Sequence, residues 1–265
     1  MGLERIAAAF KKGERVLSMW TAVGFPNRDA AIPICEGLVR AGAGMIELGI
    51  PYSDPLADGA TIQRVNSQAL QNGAGVALCF EQIPAIRRVV GEVPIVVMGY
   101  VNPMMQYGYE RFLTDLFEAG GDGIIMPDLP LREYERSVQP IIERLNLGFI
   151  GLVTIDSTDD RIRTIDSLSR GFVYAVSSRA VTGGSLTTDP ERGPFLRRLR
   201  TLNLANPVMV GFGIDSRAAF ESVTTEAHGA IVASAFMRRL LEVGVCEGGV
   251  EVGAIAEEFV RELVG

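Results

Sequence analysis

Residues 45–59 read Met45-Ile-Glu-Leu-Gly-Ile-Pro-Tyr-Ser-Asp-Pro-Leu-Ala-Asp-Gly59. The first five residues carry the pattern of a strand. Alternation sends Met45, Glu47 and Gly49 to one face and Ile46, Leu48 and Ile50 to the other. Glu47 is thereby aimed where a side chain is normally hydrophobic, and an unpaired charge there is costly. A single buried Glu is as often a structural hydrogen-bonding group as a working one. The loop that follows shifts the balance, because Pro51 and Pro55 give it turn chemistry and bring a second carboxylate, Asp58, within reach of the first. One acid is held on a strand and the other on a loop.

Outward from this run the same unit recurs about eight times: a short β-rich stretch, a turn, and a helix with an apolar stripe. The expected strands are Val16 to Ala22, Met45 to Gly49, Pro94 to Tyr100, Gly123 to Met126, Gly148 to Thr154, Phe172 to Val176, Pro207 to Val210 and Ala230 to Val232. The clearest helices are Tyr109 to Ala119, striped by Tyr109, Phe112, Leu113, Leu116 and Phe117, and Val250 to Leu263, striped by Val252, Ile255, Ala256, Phe259 and Leu263. Pro33 predicts a late helix start and Pro84 a kink or break. Strict alternation implies a parallel sheet, and eight units imply an α/β fold closed into one (β/α)8 TIM barrel spanning 1–265. An open doubly wound sheet is the alternative. Leu3, Ile6 and Phe10 have helical spacing and predict an extra N-terminal helix under the barrel floor. Chemistry in such a barrel sits at the C-terminal strand ends, where Glu47, Asn102, Asp128, Ser177 and the turn from Gly211 to Gly213 fall.

Composition narrows the function. A chain of 265 residues, 48% hydrophobic, suits one large core, and no linker divides it. A net charge of −7 without basic runs disfavours nucleic acid. No apolar run is long enough to span a membrane and no signal peptide is read at the N-terminus, so a cytoplasmic location is expected. Cys35, Cys79 and Cys246 are too scattered for a disulfide framework or a zinc site. The two lysines, Lys11 and Lys12, precede the first strand, which leaves a Schiff-base mechanism without its amine. The single histidine, His228, falls at the far end of the barrel and reads as structural. No metal site is expected, although carboxylates alone leave Mg²⁺ open on sequence grounds. Carboxylate acid/base chemistry remains. The glycine turns Val181-Thr-Gly-Gly-Ser185 and Gly211-Phe-Gly-Ile214, with Ala233-Ser234 at a helix start, together read as a phosphate cradle after strands six to eight.

The run Glu-Leu-Gly-Ile-Pro-Tyr-Ser-Asp-Pro-Leu-Ala-Asp-Gly resembles the signature of tryptophan synthase α subunits very closely, and the three phosphate-cradle segments match the same family. The resemblance extends from Trp20 to about Met237. It implies reversible retro-aldol cleavage of indole-3-glycerol phosphate to indole and glyceraldehyde 3-phosphate, without a cofactor in this chain. It also implies a β-subunit partner that uses pyridoxal phosphate, in an α2β2 heterotetramer. By resemblance Glu47 is the acid/base, Asp58 holds the indole N–H, and Thr182 closes onto Asp58. Trp20, Tyr100, Tyr174 and Phe212 match the indole pocket, and Gly183, Gly211, Gly213, Ala233 and Ser234 the phosphate site. Asp54, Pro55, Asn102, Asp128, Leu129 and Pro130 match segments facing the β subunit. Trp20 stands where the family usually has a smaller aromatic, which implies a narrower pocket. Ala233 stands where a glycine is usual, which matters if that position needs positive φ.

Overall fold

Eight parallel strands close into a barrel in the computed structural model, which describes residues 2–11, 15–177, 190–211, 213–243 and 251–265. The strands are β1 (Val16–Ala22), β2 (Met45–Gly49), β3 (Ile95–Met98), β4 (Gly123–Ile125), β5 (Gly148–Thr154), β6 (Val173–Val176), β7 (Val208–Gly211) and β8 (Gly229–Val232). They pair in chain order and β8 returns to β1, which excludes the open sheet. Three strands have the expected bounds. At β3 and β7 the regular ladder starts one residue after Pro94 and Pro207, which lack an N–H to give; their carbonyls still accept from Ile46 and Val173.

The helices are α1 (Gly2–Lys11), α2 (Ala31–Arg40), α3 (Ala60–Gln71), α4 (Val76–Val90), α5 (Val101–Tyr107), α6 (Tyr109–Ala119), α7 (Leu131–Glu133), α8 (Gln139–Leu145), α9 (Asp159–Leu168), α10 (Arg192–Thr201), α11 (Arg217–Thr224), α12 (Ser234–Glu242) and α13 (Val252–Val264); a π-helical turn, Tyr134–Val138, joins α7 to α8. The late start expected at Pro33 does not occur, and there is no break at Pro84. α2 begins at Ala31, before Pro33, because a proline in the first turn lacks only an N–H that has no acceptor there. α4 runs unbroken through Pro84, which is exposed. In α6 the buried stripe is Phe112, Leu113 and Leu116; Phe117, at the edge of the stripe, is 40% exposed and Tyr109 is half-buried. The whole expected stripe of α13 is buried, with Val260 added.

Inward side chains from successive strands fill the barrel: Val16, Met45, Val96, Ile125, Ile150, Met209 and Ile231, with Phe172 just ahead of β6. Ile6 of α1 belongs to the same cluster and closes the floor, beside Phe10, whose ring packs on Phe172. Outward residues such as Ile46, Leu48 and Val97 pack under the helices in a second, larger cluster. Below the floor, buried Asp122 accepts from Arg5, from Arg87 and from the Ile95 N–H, tying α1, α4 and β3 together. His228 is structural as expected: its Nδ1 accepts the Val208 N–H at 3.0 Å. No helix among the described residues is long and apolar enough to cross a membrane.

Candidate active site

Glu47 points into the barrel one pleat above Met45, as strand parity requires, and is fully buried. Ser18, also inward on β1 and also fully buried, donates its hydroxyl to Glu47 Oε1 at 2.9 Å. Oε2 is buried and has no hydrogen-bond partner among the described residues. Burial raises the Glu47 pKa to about 8, with the Ser18 bond pulling the other way. The carboxyl is therefore mostly protonated at neutral pH. An acid in this state inside an apolar barrel can give a proton and take one back.

Asp58 lies in the β2–α3 loop, whose turn is closed by the Asp58 N–H on the Pro55 carbonyl at 2.9 Å. Tyr100, just after β3, donates its hydroxyl to Asp58 Oδ2 at 3.0 Å and accepts the Ala57 N–H at 3.1 Å. Asn66 of α3 donates to the same Oδ2 at 3.4 Å. Burial raises the Asp58 pKa to about 6, against the Tyr100 and Asn66 bonds. Asp58 is ionised at neutral pH while Glu47 keeps its proton. The Tyr100 hydroxyl is engaged in holding this loop, and its ring lies 5.2 Å, centroid to centroid, from that of Tyr52.

Tyr174 on β6 lies within the fields of both acids. Its phenol is buried and its pKa pushed well above the ordinary value, first by burial and then by the fields of Glu47 and Asp58. Gly211, at the end of β7, faces this ring: a Cβ there would lie 2.2 Å from the Tyr174 hydroxyl. The Gly211 carbonyl accepts from the Ser177 N–H and hydroxyl. Its small size is thus required by Tyr174, a reason the phosphate expectation did not contain. Trp20 is buried with its indole against Gly49, where a Cβ would lie 2.3 Å from the ring. The wide tryptophan and the bare glycine fit each other at the barrel mouth.

On the phosphate side, Gly213 has φ +70°, which favours glycine, and Ser234 opens α12. Ala233 has φ −126°, so its methyl group is not strained and the expected penalty for replacing glycine does not arise. Thr182, Gly183 and Phe212 lie outside the described residues, as do Lys12, Cys246 and the whole run 181–185. Of the rim residues, Asp54, Asn102, Asp128 and Pro130 are exposed, whereas Pro55 and Leu129 are buried within the chain. Asp128 accepts the Val101 N–H at the start of α5, and Asn102 donates to the Tyr52 hydroxyl. Leu56 and Met105, 87% and 57% exposed, add apolar surface to the elements that carry Asp54 and Asn102. No group of three or more potential metal ligands occurs among the described residues.

Ser18, Asn66, Leu56 and Met105 were not among the residues expected from sequence. The signal for Ser18 is the same parity that exposed Glu47, a polar residue at an inward position of an apolar strand. Nothing local marks Asn66, whose partner lies eight positions away across a turn.

A sequence profile described as tryptophan synthase alpha chain matches residues 6–257. The tryptophan synthase alpha chain of Flavobacterium psychrophilum is 42% identical over 243 residues, covering 92% of this chain and 96% of that one. Among solved structures, tryptophan synthase subunit alpha from Legionella pneumophila superposes with a TM-score of 0.87 at 28% identity, covering 98% of this chain and 96% of that one. A structure of Mycobacterium tuberculosis tryptophan synthase gives 0.85 at 32% identity, covering 98% and 95%.

Proposed function

The chain belongs to the tryptophan synthase alpha chain family, and we propose that the mouth of its barrel performs the family's lyase reaction with Glu47 and Asp58 as the working groups. The reaction cleaves indole-3-glycerol phosphate to indole and glyceraldehyde 3-phosphate for tryptophan biosynthesis. The observation that carries the assignment is the Glu47 carboxyl, fully buried, half-paired and protonated near neutrality.

Glu47 gives its proton to the ring carbon that bears the glycerol chain, which makes an indolenine with positive charge at nitrogen. The resulting carboxylate takes the proton of the adjacent glycerol hydroxyl. That oxygen becomes the aldehyde of glyceraldehyde 3-phosphate as the carbon–carbon bond breaks and its electron pair returns to the ring. Asp58, ionised, accepts the indole N–H and offsets the charge that develops there. Its Oδ2 is engaged by Tyr100 and Asn66, which assigns Oδ1 to the substrate. Trp20 and Tyr174 flank the ring, and Gly213, Ala233 and Ser234 present backbone to the phosphate at the start of α12. Thr182, Gly183 and Phe212 complete the site by resemblance alone.

The chemistry as written needs no cofactor. The partner is a tryptophan synthase β subunit carrying pyridoxal phosphate in an α2β2 assembly, seated on the rim at Asp54, Asn102, Asp128 and Pro130, with Leu56 and Met105 as its apolar anchors. Residues 1–265 act as one barrel domain in the cytoplasm. The test is indole release from indole-3-glycerol phosphate, with and without a matching β subunit. Glu47→Gln should lose at least two decades of turnover, roughly 3 kcal/mol of barrier, with substrate affinity near normal. Substantial turnover in that variant sinks the assignment.

A further inference from the structure

We propose that Ser18 is a positioning residue for Glu47, its hydroxyl fixing which carboxyl oxygen exchanges protons with the substrate. The inference rests on the reading of Glu47 as the acid/base. It begins from the inequality of the two Glu47 oxygens: Oε1 accepts the Ser18 hydroxyl at 2.9 Å, and Oε2 is buried and unpaired. In a neutral carboxyl the carbonyl oxygen is the better acceptor. Ser18 therefore makes Oε1 the carbonyl oxygen and leaves the proton on Oε2. That proton has no competing partner among the described residues.

The bond also changes strength during the reaction. While Glu47 is neutral it is an ordinary hydroxyl–carbonyl bond. Once the proton has gone to the ring carbon, it becomes a charge-assisted bond to a buried carboxylate, about twice as strong. Ser18 so favours the state that follows proton transfer over the ground state, and its effect belongs in kcat rather than in KM. Among the described residues Ser18 is the side chain that hydrogen-bonds Glu47. The inward residues Val16 on β1, Met45 on β2 and Val96 and Met98 on β3 carry no donor, and Trp20 faces Gly49. The titratable groups whose fields couple to the site are Tyr174 and Asp58. Tyr174 stays neutral through the working range, and Asp58 titrates at about 6, below Glu47.

The experiment is the pH profile of indole release by the full-length chain, comparing wild type, Ser18→Ala and Glu47→Gln. Cleavage needs Asp58 ionised and Glu47 protonated, so activity rises through about pH 6 and falls through about pH 8. In Ser18→Ala the upper limb should move upward by about one unit, because the bond that favoured the carboxylate is gone. The lower limb should stay in place. The plateau kcat should fall roughly tenfold to hundredfold with KM within about twofold. A merely structural role would lower activity without moving one limb alone. The infrared carbonyl band of the protonated Glu47, isolated by difference against Glu47→Gln, should move to higher frequency in Ser18→Ala. That reading needs only folded protein. Superimposable limbs and an unmoved band, with Glu47→Gln inactive, overturn the role of Ser18 while leaving Glu47 in place. An active Glu47→Gln overturns both.

Discussion

Glu47→Gln should make the protein more stable as pH rises, while it removes the activity. The unfolded chain ionises this carboxyl near its ordinary value of 4.5, but burial delays ionisation in the folded chain to about 8. Between those values the folded state binds the extra proton, so its stability falls with rising pH. At pH 5.5 the penalty is between about 1 and 2 kcal/mol, and at pH 8.5, where both states are largely ionised, between about 4 and 5 kcal/mol. Glutamine has the same shape and no proton to lose. Its carbonyl oxygen can take the Ser18 hydroxyl, while its amide inherits the unpaired position of Oε2 at a cost of about 1–3 kcal/mol that does not vary with pH. The stability of Glu47→Gln minus that of wild type should therefore climb by about 3 kcal/mol from pH 5.5 to 8.5, whatever its value at the lower pH. Urea unfolding of both proteins across this range measures it, and Asp58 and every other titrating group cancel in the difference. A difference that stays flat would mean that water reaches the carboxyl in the folded protein. The protonated state on which the mechanism depends would then be lost.

Tyr100→Phe removes the donor to Asp58 Oδ2 and the acceptor of the Ala57 N–H; the lower limb of the activity profile should move above pH 6, with turnover down roughly tenfold. Gly211→Ala places a methyl group 2.2 Å from the Tyr174 hydroxyl, which should destabilise the fold by about 1–3 kcal/mol in urea unfolding and displace Tyr174; unchanged stability and activity would refute the packing argument. Asp122→Ala leaves Arg87 and Arg5 without their shared buried carboxylate at the floor and should cost about 3–5 kcal/mol of stability. The rate of the protein that remains folded should be unchanged, because the mouth of the barrel is not touched. Trp20→Phe should widen the mouth over Gly49 and lower KM for indole-3-glycerol phosphate roughly threefold to tenfold, about one methylene-scale contact's worth of relief; a higher KM would show that the large ring binds substrate rather than crowding it.

How far the sequence could be read depended on whether a feature was periodic or a meeting between strands. Parity along β2 correctly sent Glu47 inward, and the alternation of strand and helix correctly closed the barrel, because each is a local consequence of chain geometry. The late start at Pro33 and a break at Pro84 did not occur, because proline at a given point of a helix is harmful or harmless according to its turn and its exposure, which the sequence pattern leaves open. The contacts that tune the site were the least legible. Ser18 and Glu47 are 29 positions apart, and Tyr100 and Asp58 are 42 apart. Parity places Ser18 and Trp20 both inward on β1, yet it cannot say which of them meets Glu47. That depends on register: Trp20 stands beside Glu47 and Ser18 beside Met45, so the shorter Ser18 reaches diagonally up to Glu47 while the Trp20 ring extends over Gly49. A shift of two residues between these strands would keep every side chain on its own face and leave the apolar pattern satisfied. It would also set a different residue beside the carboxylate. The hydrophobic pattern therefore determines that Glu47 is buried, and the register, which closure of the barrel sets, determines its hydrogen-bonding partner and with it the oxygen that holds the proton.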